Sequence, residues 1–183
     1  MENCKKDFIN NISGGDLCYY PLLYKAIKET KKGNVLEFGM GHGSTPLLNK
    51  WCTKYKRNLF SYDFNEEWRE KFNSLLNKLH VSDLVLDWNT VYQTHLDASV
   101  IFVDQSPGEE RKHSLVTYQH TKGIVVIHDS EPTGAGDYRV RELFNLYKYK
   151  VDVPTAGAWA TALSNEYDLT KWVGAIGNYT IQL

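Results

Sequence analysis

Apolar and polar positions alternate along the chain in two rhythms. Short, continuous apolar runs read as buried strands: Asn34–Phe38, Leu59–Asp63, Leu84–Leu86, Val100–Val103 and Ile124–Ile127. Between them lie stretches of helical period. Ser44–Tyr55 carries Leu47, Leu48, Trp51 and Cys52 at helical spacing. Asn65 is a candidate cap for a helix reaching Leu79, with Trp68, Phe72, Leu75, Leu76 and Leu79 on one face. Glu109–Thr121 and Tyr138–Leu146 read as further helices, and Tyr149–Val153 with Trp159–Leu163 as a closing pair of antiparallel strands.

Strand and helix alternating five times predict an α/β architecture, a Rossmann-like doubly wound sheet with helices on both faces. The sheet is expected to be mostly parallel with an antiparallel last strand, because strands covered on both sides read as unbroken apolar runs. Residues 1–33, with Leu22, Leu23 and Ile27 as an apolar stripe, are expected to be a helical cover on the acceptor side; residues 34–183 form the core of one domain. In such sheets ligands sit at the carboxyl ends of the strands. Those ends are Glu37–Gly43, Asp63, Asp87-Trp88, Asp104 and His128-Asp129.

The 183 residues carry 21 basic and 22 acidic side chains, a net charge of −1 that offers no field for a phosphate backbone. A 42% hydrophobic content supports a packed core. No apolar run is long enough to span a membrane, and the first residues lack the apolar core of a secretory signal. Cys4, Cys18 and Cys52 are scattered and odd in number, which fits a reducing, cytoplasmic setting better than disulfides or a zinc site.

The strongest motif is Glu37-Phe38-Gly39-Met40-Gly41-His42-Gly43-Ser44. Glycines at alternate positions after a buried strand allow a sharp turn and close backbone approach to a ligand. The spacing differs from the dinucleotide G-x-G-x-x-G pattern, and a carboxylate two residues ahead suits a ligand with a cationic amino acid part. A turn without a ligand is the plain alternative. Asp63, about 20 residues on, stands where nucleoside-binding folds place a carboxylate for ribose hydroxyls. Asp87 and Trp88 offer an adenine contact and a stacking face, or else Trp88 simply packs beneath a loop.

Together these residues resemble class I S-adenosylmethionine (SAM)-dependent methyltransferases over residues 34–164. The segments Phe102–Arg111 and Val125–Glu131 look like the small O-methyltransferase-like branch. The resemblance implies SAM as cofactor, held by Glu37, Gly39, Met40, Gly41, His42, Gly43 and Ser44 at its methionine part, by Asp63 at the ribose and by Asp87-Trp88 near the adenine, with Asp104 alongside. Asp104-Gln105-Ser106-Pro107 is not the Asp/Asn-Pro-Pro-aromatic stretch of base amine methylation, and no Pro-Cys nucleophile exists for cytosine C5 chemistry. What remains is an oxygen on a small molecule or sugar, with neither nucleic acid nor membrane as partner.

His128, with Asp104 and Asp129 beside it, is the expected catalytic group: a general base for an acceptor hydroxyl, or a ring that only caps a loop. Asp104 and Asp129 are also the residues on which Mg²⁺ would converge, as in metal-dependent relatives, although the catechol-type Asp-Asn pair is here His-Asp. The metal-free route is preferred. The rivals are a metal-dependent enzyme of the same fold, methylating a diol or hydroxylating, and a silent SAM-binding protein. Tyr19 or Tyr20 either touches acceptor or, as is more usual for tyrosines next to Pro21, simply packs. The Gly-rich segment 133–137 reads as a lid, and Arg139 and Arg141 either grip an anionic acceptor or face solvent. Trp172 and Tyr179 suit a homodimer, and core packing explains them equally well.

Overall fold

The structure is a computed structural model that describes residues 18–132, 138–155 and 157–172. Helix α1 (Tyr20–Thr30) leads into β1 (Val35–Phe38), α2 (Ser44–Tyr55) and β2 (Leu59–Asp63). A short α3 (Glu66–Glu70) and a 3₁₀ turn (Asn73–Leu75) precede β3 (His80–Leu84), α4 (Asn89–Tyr92), β4 (Val100–Val103), α5 (Glu110–Tyr118) and β5 (Ile124–His128). A 3₁₀ segment (Val140–Leu146), β6 (Tyr149–Pro154), β7 (Trp159–Ser164) and a last 3₁₀ turn (Leu169–Trp172) complete the described elements.

The seven strands lie in the order β3-β2-β1-β4-β5-β7-β6. Pairing is parallel from β3 to β5, and β7 runs antiparallel between β5 and β6. The order reverses between β1 and β4, which makes the carboxyl ends of those strands the switch point where a crevice forms.

Alternate side chains divide the sheet between two cores. Val35, Leu59, Val100, Phe102, Ile124 and Val126 pack with Leu22, Leu23 and Ile27 of α1 and Leu47, Leu48 and Trp51 of α2. Leu36, Phe38, Ile101, Val103, Val125 and Ile127 pack on the other face with Leu115 and Tyr118 of α5, Val140 and Phe144. Helix α1 is therefore built into the first core. So is Trp172, which is buried there, so core packing rather than an exposed contact accounts for it. Tyr179 and segment 133–137 lie outside the described residues.

Three sequence expectations need correction. The helix foreseen from Asn65 to Leu79 stops at Glu70, and of its apolar face only Phe72 is buried. Asn65 does cap it, accepting from the Trp68 amide, but Asn73, Ser74 and Asn77 interrupt the helix with side chains that compete for backbone groups. The third strand begins at His80, four residues ahead of the apolar triplet Leu84-Val85-Leu86. As an edge strand it is half exposed and carries no continuous apolar run. Leu86 points into solvent, 91% exposed. Asp87 and Trp88 accordingly follow the strand rather than end it. Residues 140–146 coil as 3₁₀ rather than α-helix.

Candidate active site

The glycine turn opens directly from β1. Gly39 has φ +86°, and a Cβ there would lie 2.4 Å from the Asp104 carbonyl oxygen, so β1 and β4 can exit side by side only with glycine at this position. Among the described residues, a Cβ at Gly41 would meet only the Ser44 hydroxyl, at 3.4 Å, which leaves open the space before Gly41, the cradle a ligand would fill.

Glu37 is fully buried beneath this turn. Its Oε1 accepts from Ser44 Oγ at 2.7 Å and Thr45 Oγ1 at 2.9 Å, and its Oε2 accepts from Ser61 Oγ at 2.6 Å. Thr45 Oγ1 in turn accepts the Gly41 N–H at 2.9 Å. Burial pushes the Glu37 carboxyl up to about 7, although the Ser61, Ser44 and Thr45 hydroxyls oppose the rise. The carboxylate therefore shapes the turn from behind it.

Asp63 ends β2, buried, with Oδ2 accepting the Met40 N–H at 2.8 Å and Oδ1 the Asn65 N–H at 2.9 Å. Burial raises its carboxyl above the ordinary range while the amides pull it down. It ties the tip of the turn to the start of α3. From α3, Trp68 donates its ring N–H to the Met40 carbonyl at 2.5 Å and meets the exposed His42 edge-to-face at 5.0 Å. Asp87 is exposed and accepts from the Asn89 backbone amide at 3.0 Å, just ahead of α4. Trp88 is buried, donates to the Ser106 carbonyl at 3.1 Å and packs edge-on to Phe38. These two sit further along the chain than the end of β3, and Trp88 packs beneath the loop after β4.

Asp104 continues β4, with its amide bonded to the Phe38 carbonyl at 2.8 Å, so it borders the glycine turn. His128 closes β5 beside it. Its Nδ1 lies 3.2 Å from Asp104 Oδ1 and 3.6 Å from Asp129 Oδ1. Asp129 itself is held at φ +49°, a left-handed conformation that Asp tolerates better than most residues and that turns the chain sharply after β5. Arg111 of α5 lies between the two carboxylates, Nη2 at 3.0 Å from Asp104 Oδ1 and Nη1 at 2.9 Å from Asp129 Oδ2. It also donates to the carbonyls of Gln105 and His128, and the Tyr138 ring covers it at 4.5 Å. Burial draws the His128 ring down, yet the Asp104 carboxylate and the neighbouring Cys18 outweigh it and raise the ring to about 11. His128 Nε2 is buried without a hydrogen-bond partner among the described residues, and the Tyr19 ring stands edge-on at 5.0 Å.

Sequence reasoning missed Arg111. The signal was present: Arg111, Ser114, Leu115 and Tyr118 form the buried face of α5, and a cation on such a stripe requires carboxylates. Arg141 is bidentate to Asp152 at 2.9 and 3.3 Å, and Arg139 pairs with Glu142 at its Nε, 2.7 Å away.

No protein-family model matches the chain, and no curated protein sequence matches it. Among solved structures, it is similar to cofactor-bound Rv0187 from MTB, with TM-score 0.62 and 15% identity, covering 87% of this chain and 84% of that one. It is similar to the O-methyltransferase TomG from Streptomyces achromogenes, solved with SAM, with TM-score 0.60 and 13% identity over 88% of this chain and 85% of that one. Spermidine synthase from Thermotoga maritima aligns with TM-score 0.59 and 12% identity over 91% of this chain and 66% of that one. At such identities the likeness establishes the fold.

Proposed function

We propose that this chain, which has the Rossmann-like fold of class I methyltransferases, is a SAM-dependent methyltransferase acting on an oxygen of a small molecule or sugar. The observation that carries the reading is the cradle before Gly41, open among the described residues and bordered by Asp104, whose carboxylate holds His128. The likeness to TomG and Rv0187, both solved with cofactor, supports it.

SAM, when bound, supplies an electrophilic methyl group on a sulfonium. The residues present fit it: Gly41 leaves room, Glu37 and Asp63 fix the turn on either side, and Asp63 is the carboxylate we assign to the ribose hydroxyls. Chemistry at the acceptor falls to His128. Asp104 holds Nδ1–H and thereby aims Nε2. The carboxylate keeps the ring protonated near neutrality, so His128 first holds the acceptor oxygen by donating from Nε2. It takes the hydroxyl proton only in the fraction that has lost its own. Alignment of the acceptor oxygen supplies the rest of the acceleration.

Mg²⁺ fits these residues poorly. Ligand atoms of Asp104, His128 and Asp129 do lie within 4.8 Å of one another. The inward carboxylate oxygens, however, already face the Arg111 guanidinium, a fixed cation that a divalent ion would have to displace or confront. We read Arg111 as the cation of this site. Titration calorimetry with SAM, followed by methyl transfer to a panel of hydroxyl and carboxyl acceptors, tests the function. Tight NAD binding with no SAM binding would overturn it.

A further inference from the structure

We propose that His80, on the third strand, is a positioning residue for the cofactor turn, acting through Ser61 and Glu37 on the Gly41 amide; the proposal rests on the SAM-binding reading above. His80 is 1% exposed. Its Nε2 lies 3.0 Å from Ser61 Oγ, and its Nδ1 lies 2.8 Å from Asn49 Nδ2 of α2. The same Asn49 group donates to the Leu75 carbonyl at 2.8 Å.

With Glu37 ionised, as it is above pH 7, one set of protons satisfies the whole chain. Ionised Glu37 only accepts, so Ser61 must give its single proton to Oε2 at 2.6 Å. Ser61 then can only accept from His80, which places the ring proton on Nε2. Nδ1 is left as an acceptor, and Asn49, whose amide nitrogen only donates, supplies the matching hydrogen. The neutral ring this requires is the form that burial favours, drawing its pKa down to about 4. A second proton, on Nδ1, would confront the Asn49 N–H.

The outcome is two lines of donors that meet on Glu37, one from Asn49 through His80 and Ser61 and one from the Gly41 N–H through Thr45, each link between 2.6 and 3.0 Å. Glu37 and Ser61 are direct partners across β1 and β2, so the first line crosses three adjacent strands beneath the turn. Without His80, the Ser61 hydroxyl loses the donor that fixes its rotamer, and the carboxylate loses its aim at Ser44 and Thr45. Helix propensity and core packing do not ask for a histidine here; an apolar residue would fill the volume.

The test compares His80→Phe with His80→Gln, whose side-chain amide retains an N–H for Ser61. SAM affinity by calorimetry should fall about tenfold in His80→Phe, the worth of one hydrogen bond to the network. It should return to within about threefold of wild type in His80→Gln. Equal affinity in wild type and His80→Phe, or an equal loss in both variants, would overturn the proposal. Histidine ¹⁵N spectra of the cofactor-free wild type give a second readout, independent of whether SAM binds and of whether the variants fold. His80 should be a neutral Nε2–H tautomer at pH 9, where Glu37 is ionised. An Nδ1–H tautomer or an imidazolium would overturn the relay even if SAM binds. A relay seen in the spectra of a wild type that binds no SAM would instead bring down the functional reading, and with it the role toward cofactor.

Discussion

The two glycines of the turn should fail in opposite ways. Gly39→Ala places a side chain at φ +86°, costing about 1–2 kcal/mol for a left-handed L-residue. It also drives a Cβ to 2.4 Å from the Asp104 carbonyl oxygen and 2.8 Å from the Gln105 amide nitrogen. Backbone cannot rotate away as a side-chain tip can, so overpacking adds about 1–3 kcal/mol. For a chain of this size the sum lowers the melting temperature by roughly 5–15 °C. Gly41→Ala meets only the Ser44 hydroxyl at 3.4 Å, and its stability should stay within about 0.5 kcal/mol of wild type. Its added methyl stands in the cradle instead, and an overpacking cost of about 1–3 kcal/mol laid on the ligand weakens SAM by roughly 5- to 150-fold. Thermal unfolding without ligand and calorimetry with SAM separate the two effects. A stable Gly39→Ala would refute the argument from β1 and β4 crowding. Unchanged SAM affinity in Gly41→Ala would show that the cofactor lies elsewhere.

Arg111→Leu leaves the Asp104 and Asp129 carboxylates with only the His128 ring as a nearby cation, and urea unfolding should show a loss of about 3–5 kcal/mol; a loss below about 1 kcal/mol would mean that the guanidinium is dispensable. With Arg111 as the fixed cation, methyl transfer should persist in excess EDTA, and a chelator-killed activity restored by Mg²⁺ would reverse that reading. Glu37 has a folded pKa near 7, above its unfolded value of about 4.5. The folded state therefore binds the extra proton, and the stability this contributes is full below pH 4.5 and lost as pH rises through 7. The wild type should lose about 3 kcal/mol relative to Glu37→Gln between those limits, and parallel pH profiles would rule this out. If His128 takes the proton of a hydroxyl acceptor, turnover should climb with pH from 7 towards 10, because its ring is raised to about 11. His128→Ala should lower turnover by roughly 10²–10⁴-fold with SAM affinity kept. A flat profile would assign that acceptor an oxygen already ionised.

The sequence by itself determined the sheet and the places where its chemistry gathers. Strands β4 and β5 are buried and appear as unbroken apolar runs, and β1 and β2 as apolar runs interrupted only by Glu37 and Ser61, so the strands and their ends stand out as candidate site positions. Glu37, Asp63, Asp104 and His128 were legible for that reason. The edge strand β3 was misplaced because exposure on one side removes the apolar run, and the polar His80 that starts it gives no local sign of its partners. Tertiary structure decided what the site residues do to one another. Three hydroxyls from α2 and β2 converge on Glu37, and Arg111 of α5 reaches the carboxylates at the ends of β4 and β5. Hydrogen bonds and ion pairs between residues 7 to 24 positions apart depend on strand order and register, and neither is encoded in any single stretch of chain. Propensity and periodicity act locally; the protonation of Glu37, His80 and His128 is set by burial and by neighbours that only the closed sheet brings within 3 Å or so.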